Sequence, residues 1–279
     1  MISFAQNQED VVLSRLLGVV KDGTYIDVGA GHPRIHNVTY ALYLAGWRGI
    51  NVEPMAEEAE LLRSERPEDV TFQVAAGATP GLVRLYVAPS ENRGATTSDL
   101  TIADRYRTLG QVFNEVEVSV LPLDDIILTQ DIHEVHVLKI DVEGAEEEVL
   151  QGFNFSRVKP WVLVIESTIP NSTEDASFRW EQNVLDKGYT MTLFDGLNKF
   201  FVRNDLGQIA RMLSTPANVF DRWESRELAE LREHLVDTTS YAQEYSSSLL
   251  ARIAELEAYT STLEILLNRS IGWLPHRSR

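Results

Sequence analysis

The chain is predicted to be an α/β protein: a mostly parallel sheet covered by helices, closing on an antiparallel hairpin, with a C-terminal helical extension. Three observations carry this. Strand-like and helix-like patterns alternate through roughly the first 200 residues, as successive βα units do. Two runs, Val135 to Asp141 and Val162 to Glu166, stay almost continuously apolar until each ends in a carboxylate. Central strands buried on both faces read this way. From Asp221 onward a seven-residue apolar spacing replaces the alternation.

In chain order, Thr24 to Val28 is a short strand running into a glycine-rich turn. Asn37 is placed to cap a helix over Val38 to Ala45, which Gly46 stops. A strand from Gly49 to Glu53 is closed by Pro54, a helix from Met55 to Arg66 by Pro67, and Val70 to Ala75 forms a third strand. Between Gly81 and Val120 the alternation breaks. Two strand-like pieces, Leu82 to Val87 and Phe113 to Val120, bracket the polar stretch Asn92 to Ser98. That stretch reads as an insertion near the mouth of a site or as a surface loop. A short helix from about Ala145 to Leu150 separates the two central strands, and another spans Phe178 to Lys187. Tyr189 to Phe194 and Lys199 to Arg203 flank Asp195-Gly196, a hairpin signal.

The division is expected at residues 1–215 and 216–279. In the second part Leu228, Leu231, Leu235, Ala242, Tyr245, Leu249, Leu256, Tyr259, Leu263 and Leu266 keep a three–four spacing, interrupted at Thr238 and Arg252. This is the pattern of a coiled coil or a long docking helix. Ser270 to Arg277 is not helical in pattern and reads as a tail or a docking peptide.

Composition bounds the function. The formal net charge is −17, which disfavours nucleic-acid binding. No cysteine is present, so disulfides, thiol nucleophiles and cysteine metal clusters are excluded. The first residues lack a basic stretch and apolar core, and no apolar run reaches the about 18 residues of a membrane span. A cytoplasmic location is expected.

Chemistry concentrates where strands end. In Asp27-Val28-Gly29-Ala30-Gly31 the glycines let a ligand approach the backbone amides closely. A dinucleotide fingerprint would place a third glycine at position 34, which is Arg34. That makes a dehydrogenase the third choice. Asp27 suits a ligand ammonium, directly or through water, and Glu53 suits a pair of ribose hydroxyls. Asp141, Glu143 and Glu166 sit at or just past the C-terminal ends of adjacent strands, where open α/β sheets bind ligands. Each has a plainer reading. Asp141 can cap the helix before Ala145, Glu143 can complement its N-terminus, and Lys139, on the same strand face as Asp141, can pair with a carboxylate. His32 and His36 are either bases or polar surface.

With these residues in view, the sequence resembles the FkbM family of O-methyltransferases. The matching pieces are Phe4-Ala5-Gln6 with Glu9-Asp10, Tyr25 through Pro33, Asn37 through Tyr40, and Gly46 through Pro54. The most specific is Leu138 through Glu146, followed by Val149-Leu150, Gly152, Glu166 and Asp195 through Asn198. The likeness spans roughly residues 3 to 203 and stops before the helical extension. It implies a Rossmann-like class I methyltransferase sheet, S-adenosylmethionine as methyl donor, and a hydroxyl of a sugar, glycan or secondary metabolite as acceptor. Gln6, Asp27, Gly29, Ala30, Gly31, Glu53 and Ala76 are the expected cofactor-binding residues. Asp141, Glu166, Glu143 and His32 are the catalytic candidates, and Asp141 with Glu166 the candidate Mg²⁺ ligands. The competing expectation is a non-catalytic scaffold of the same fold acting through its helix. That helix is expected to join a second copy or a partner enzyme, or to pack on its own chain.

Overall fold

A computed structural model describes residues 1–89, 94–130, 132–169 and 172–271, with backbone alone for 268–271. The chain forms two units, Met1–Glu224 and Ser225–Arg279.

The first unit opens with β1 (Ile2–Ser3), α1 (Glu9–Ser14), β2 (Thr24–Val28), α2 (Tyr40–Leu44), β3 (Arg48–Val52), α3 (Ala56–Glu65) and β4 (Val70–Phe72). There follow β5 (Ala75–Ala76), β6 (Gly81–Val87), α4 (Leu100–Thr108), β7 (Asn114–Leu121) and α5 (Leu123–Leu128). The remainder is β8 (Val137–Ile140), α6 (Glu146–Gln151), β9 (Val162–Glu166), α7 (Glu181–Asp186), β10 (Tyr189–Phe194), β11 (Asn198–Arg203) and α8 (Gly207–Met212).

Seven strands make the main sheet in the order β10-β11-β9-β8-β2-β3-β4. The five from β9 to β4 run parallel, and β11 and β10 add an antiparallel hairpin beside β9. Successive side chains face opposite ways, so each strand feeds two cores. Ile26, Val28, Leu138, Ile140, Leu163 and Ile165 join α5, α6 and α7 on one face. Tyr25, Val137, Val162, Val164, Phe200 and Val202 join α1, α2 and α8 on the other.

The third strand is shorter than the sequence suggests. It stops at Phe72 because its neighbour β3 turns away at Pro54, after Glu53 N has bonded to Phe72 O at 3.0 Å. The chain then changes sheets, and Ala75 and Ala76 pair with β7. The break in alternation between Gly81 and Val120 is this second sheet: β6 and β7 pair antiparallel along their length, and α4 lies between them in sequence. Of the polar stretch from Asn92 to Ser98, Asn92 and Arg93 lie outside the described residues, as do residues 272–279 of the tail.

The division falls at Glu224 rather than after 215. Arg15, on the turn after α1, explains why. Its guanidinium donates to the carbonyls of Met212, Thr215 and Pro216 at 2.7–3.0 Å and bidentately to Asp221 at 3.0 and 2.8 Å. Glu224 N also donates to Met1 O at 3.0 Å.

Among its described residues the second unit holds one helix, α9 (Arg226–Ile271), of 46 residues. Its seam residues, among them Leu235, Leu249, Leu256 and Leu263, are 64%, 47%, 50% and 42% exposed. Among the described residues no helix is long and apolar enough to cross a membrane.

Arg15 yields the first prediction. Hydrogen bonds to a charged group contribute about 1.5–3 kcal/mol, so Arg15→Ala should lower unfolding stability by that order. A chain cut after Glu224 should melt higher than one cut after residue 215, which loses Pro216 and Asp221. Equal melting temperatures for the two would show that the 216–224 segment adds nothing.

Candidate functional site

The site is built on a polar row laid across an apolar sheet. In-register pairing sets Lys139 of β8 beside Asp27 of β2, Asp27 beside Asn51 of β3, and Asn51 beside Thr71 of β4. All but Thr71 are buried. Lys139 Nζ donates to Gly29 O at 2.8 Å and lies 3.2 Å from Asp27 Oδ1 and 3.4 Å from Asp141 Oδ2. Burial alone would lower its pKa, but the charges of Asp141 and Asp27 hold it above the usual lysine range. Asp27 is fully enclosed, and its other oxygen accepts from Thr39 Oγ1 at 2.7 Å. Arg66, also fully buried, donates to Thr39 Oγ1 at 2.9 Å and to the Pro33 carbonyl. Asp27 therefore supports the turn from beneath, through Lys139 and Thr39.

Above this row the glycine turn leaves β2. Gly29 has φ +73°, and a Cβ there would run into the carbonyl oxygen of Asp141. The first glycine is thus required by backbone packing against the β8 exit. Gly31 has φ +58°, and a Cβ on it would meet nothing within 4 Å. The open approach belongs to the second glycine. Ala30 is buried, its amide on Val52 O at 3.2 Å. Asn37 fixes the turn from the far side: its Nδ2 donates to Ala30 O and His32 O, while its Oδ1 accepts from Thr39 N and Tyr40 N. The helix begins at Tyr40 with Thr39 at its N-cap, not at Val38 with Asn37, which instead closes the turn that leads into it.

Glu53, just past β3, is 5% exposed. Oε2 accepts from Gly31 N and Oε1 from Met55 N, both at 2.8 Å. Burial raises its pKa from 4.5 to about 7 against the pull of those two bonds.

The acids past β8 and β9 come together. Carboxylate oxygens of Asp141, Glu143 and Glu166 all lie within 4.8 Å of one another. Burial, and next the charge of Asp141, raise Glu143 and Glu166 well above the ordinary glutamate range. Glu143 has φ +55° and Gly144 φ +107°, so the chain makes a left-handed step before α6. Two contacts hold it: Thr97 Oγ1 donates to Glu143 O at 2.7 Å, and Glu146 Oε1 accepts from Val142 N and Gly144 N at 3.2 and 3.1 Å. The polar stretch before α4 therefore does reach the site, through Thr97.

The remaining candidates are His32, His36, Gln6 and Ala76. His32 Nδ1 accepts from Arg34 N and Ile35 N, each at 3.1 Å, so the lone pair a base would use there closes a turn. His36 is exposed, Gln6 is exposed, and Ala76 belongs to the second sheet. Glu146, Thr39 and Thr97 were missed by sequence reasoning. Glu146 carried a signal, as an acid at a helix start. Thr97 carried none, since its partner is 46 residues away.

A glycine turn and acid-ended strands gathered on one edge of a parallel sheet form a ligand-binding α/β domain. The family model for the methyltransferase FkbM domain matches residues 27–205, and the chain belongs to that family. Similar solved structures include the methyltransferase FkbM from Methylobacillus flagellatus KT, at 16% identity and TM-score 0.42, covering 66% of this chain and 45% of that one. A putative RNA methyltransferase from Pyrococcus horikoshii is 13% identical, with TM-score 0.37 and coverage of 71% and 83%. The O-methyltransferase from Bacillus cereus in complex with SAH is 11% identical, with TM-score 0.37 and coverage of 71% and 80%. The chain thus spans about half the length of the first. No curated protein matches it.

Two predictions follow from this geometry. Lys139→Met should cost about 3–5 kcal/mol, because Asp27 would be left buried without its counter-charge; urea unfolding measures it. Glu9, Glu53 and Glu146 are each raised to about 7, chiefly by burial. The folded chain holds these protons more tightly than the unfolded one. The stability they confer is complete below about pH 4.5 and is lost as pH rises through 7, on the order of 1–3 kcal/mol for each group. Unfolding midpoints measured from pH 5 to 8 should therefore fall, and a rising series would show the three carboxyls to be ionised throughout.

Proposed function

We propose that this protein is an S-adenosylmethionine-dependent methyltransferase that modifies a hydroxyl of a sugar, glycan or secondary metabolite. The observation that carries the reading is the placement of open Gly31 and buried Glu53 beside the carboxylates past β8 and β9, in a chain of the FkbM family. The residues present fit the donor. Gly31 leaves its outer face clear for a ligand, and each Glu53 oxygen keeps a lone pair for a ribose hydroxyl.

The bound sulfonium would supply a methyl carbon open to in-line displacement. The chain's own residues would hold the acceptor oxygen in line with that carbon, which provides much of the acceleration. They would also receive the hydroxyl proton as the new C–O bond forms and the C–S electron pair returns to sulfur. Asp141, Glu143 and Glu166 are the groups for this. Burial raises the proton affinity of Glu143 and Glu166, which suits them to receive a proton. Lys139 and Asp27 would act from below, by fixing the Gly29 carbonyl and Asp141.

The long exposed seam of α9 favours a second reading, a scaffold working through its helix. Ligand-induced stabilisation separates the two. Adenosylmethionine or adenosylhomocysteine at a hundred times its dissociation constant should add about 2.7 kcal/mol of stability. Gly31→Val should abolish this by filling the open face. Affinity for adenosylhomocysteine should fall as pH drops through 7 and Glu53 becomes protonated. Indifference of the melting temperature to both ligands would leave the scaffold reading standing.

A further inference from the structure

Two features of the acid cluster remain unexplained by hydrogen bonding within the chain. The first is charge. Asp141, Glu143 and Glu166 converge within 4.8 Å, with Glu146 close behind them. Lys139, 3.4 Å from Asp141, is already shared with Asp27 and the Gly29 carbonyl. Glu146 spends Oε1 on two backbone amides. The second is Glu166 itself. It is 8% exposed, its carboxyl group lies in the cluster against that of Asp141, and no N–H or hydroxyl donor among the described residues reaches its Oε2. A buried acceptor without a donor is costly unless a bound group completes it.

The donor set defines what that group is. Three carboxylates, with no histidine or cysteine, form an all-oxygen site suited to Mg²⁺, Mn²⁺ or Ca²⁺ rather than to zinc or copper. The spacing agrees. Two oxygens on opposite sides of one ion stand about 4.6–5.2 Å apart around Ca²⁺ and about 4.0–4.2 Å apart around Mg²⁺. Oxygens already within 4.8 Å take the larger ions nearly as they stand, and Mg²⁺ after a small inward movement. The left-handed backbone at Glu143, held by Thr97 and followed by Gly144, delivers the third carboxylate to the other two.

We propose that Asp141, Glu143 and Glu166 together bind a hard divalent cation at the C-terminal edge of β8 and β9. Three protein oxygens leave the ion with open positions for water or for the oxygens of a second ligand. That this ligand is the acceptor hydroxyl rests on the methyl-transfer reading; the cation site does not.

The test uses the full chain, titrated with Mn²⁺ and with Ca²⁺ by calorimetry and followed by thermal melting. One ion should bind per chain and raise the melting temperature. Asp141→Asn, Glu143→Gln and Glu166→Gln should each weaken binding about tenfold or more. Glu143→Gln and Glu166→Gln should also melt higher than the parent without metal, because the repulsion is gone, and all three should respond less to metal. Glu233→Gln, on the exposed helix, should change nothing and so controls for ions gathered by the net negative charge. The absence of saturable binding in the millimolar range would overturn the proposal. So would affinity that Glu166→Gln and Glu143→Gln leave unchanged while circular dichroism shows both folded. Tight binding with no methyl transfer to any hydroxyl acceptor would remove the enzymatic reading and leave the site. Methyl transfer by a chain that binds no ion would do the reverse.

Discussion

The buried ammonium of Lys139 is the interaction on which the rest of the site depends. A lysine in the middle of a β-strand, among Val137, Leu138 and Ile140, is tolerable only if it is compensated on every side. Parallel register supplies Asp27 from β2, and the exit of the same strand supplies the Gly29 carbonyl. Asp141, two residues along β8, closes the set from above. One charge thus ties the first glycine turn to the first of the convergent acids. The turn cannot shift without unpairing Lys139, and Gly29 must lack a side chain because the Asp141 carbonyl lies against it. The Thr39–Arg66 bond extends the same polar layer toward α3, so that two buried cations are neutralised or solvated by protein groups.

Much of this was legible from residue order, and where it was not the reason is physical. Strands β2 and β9 begin and end where the apolar runs do, since a fully buried parallel strand has no polar face to blur its limits. Glu53, Asp141 and Glu166 could be found because an acid that ends an apolar run lies at the sheet edge by construction. The second sheet could not be found. β5 is two residues long and is defined only by pairing with β7, more than 40 residues on. Nor could the sequence divide the two glycines, since whether a glycine faces a ligand or a neighbouring carbonyl depends on the strand beside it. Nor does residue order show that His32 Nδ1 closes a turn by accepting from two backbone amides.

The heptad spacing of α9 was readable for the reason that makes the helix unusual. Its apolar positions follow the seven-residue repeat, and Leu235, Leu249, Leu256 and Leu263 are 42–64% exposed. Helix propensity alone supports a segment of this length weakly in water, and most helical stability in proteins comes from covering an apolar face. Thr238 and Arg252 interrupt the three–four spacing at two of its positions.

The site is organised at the expense of the fold that carries it. Glu53, Glu146 and Glu166 are almost completely buried, and Glu143 adopts a left-handed backbone that a non-glycine residue enters only at a cost of about 1–2 kcal/mol. None of these features strengthens the hydrophobic cores, which are complete on both faces of the sheet without them. Such strain persists only where the surroundings over-determine it. Here they do, through Thr97 on the Glu143 carbonyl, Glu146 on two amides of the same turn, and Lys139 beneath Asp141. The restraints come from Thr97 and from the run Lys139 to Glu146 itself, and converge on one carboxylate cluster. Asp141 and Glu146 thereby hold the turn and Lys139 in place, while Glu143 and Glu166 are carried at the carboxyl edge of the sheet at a cost in burial.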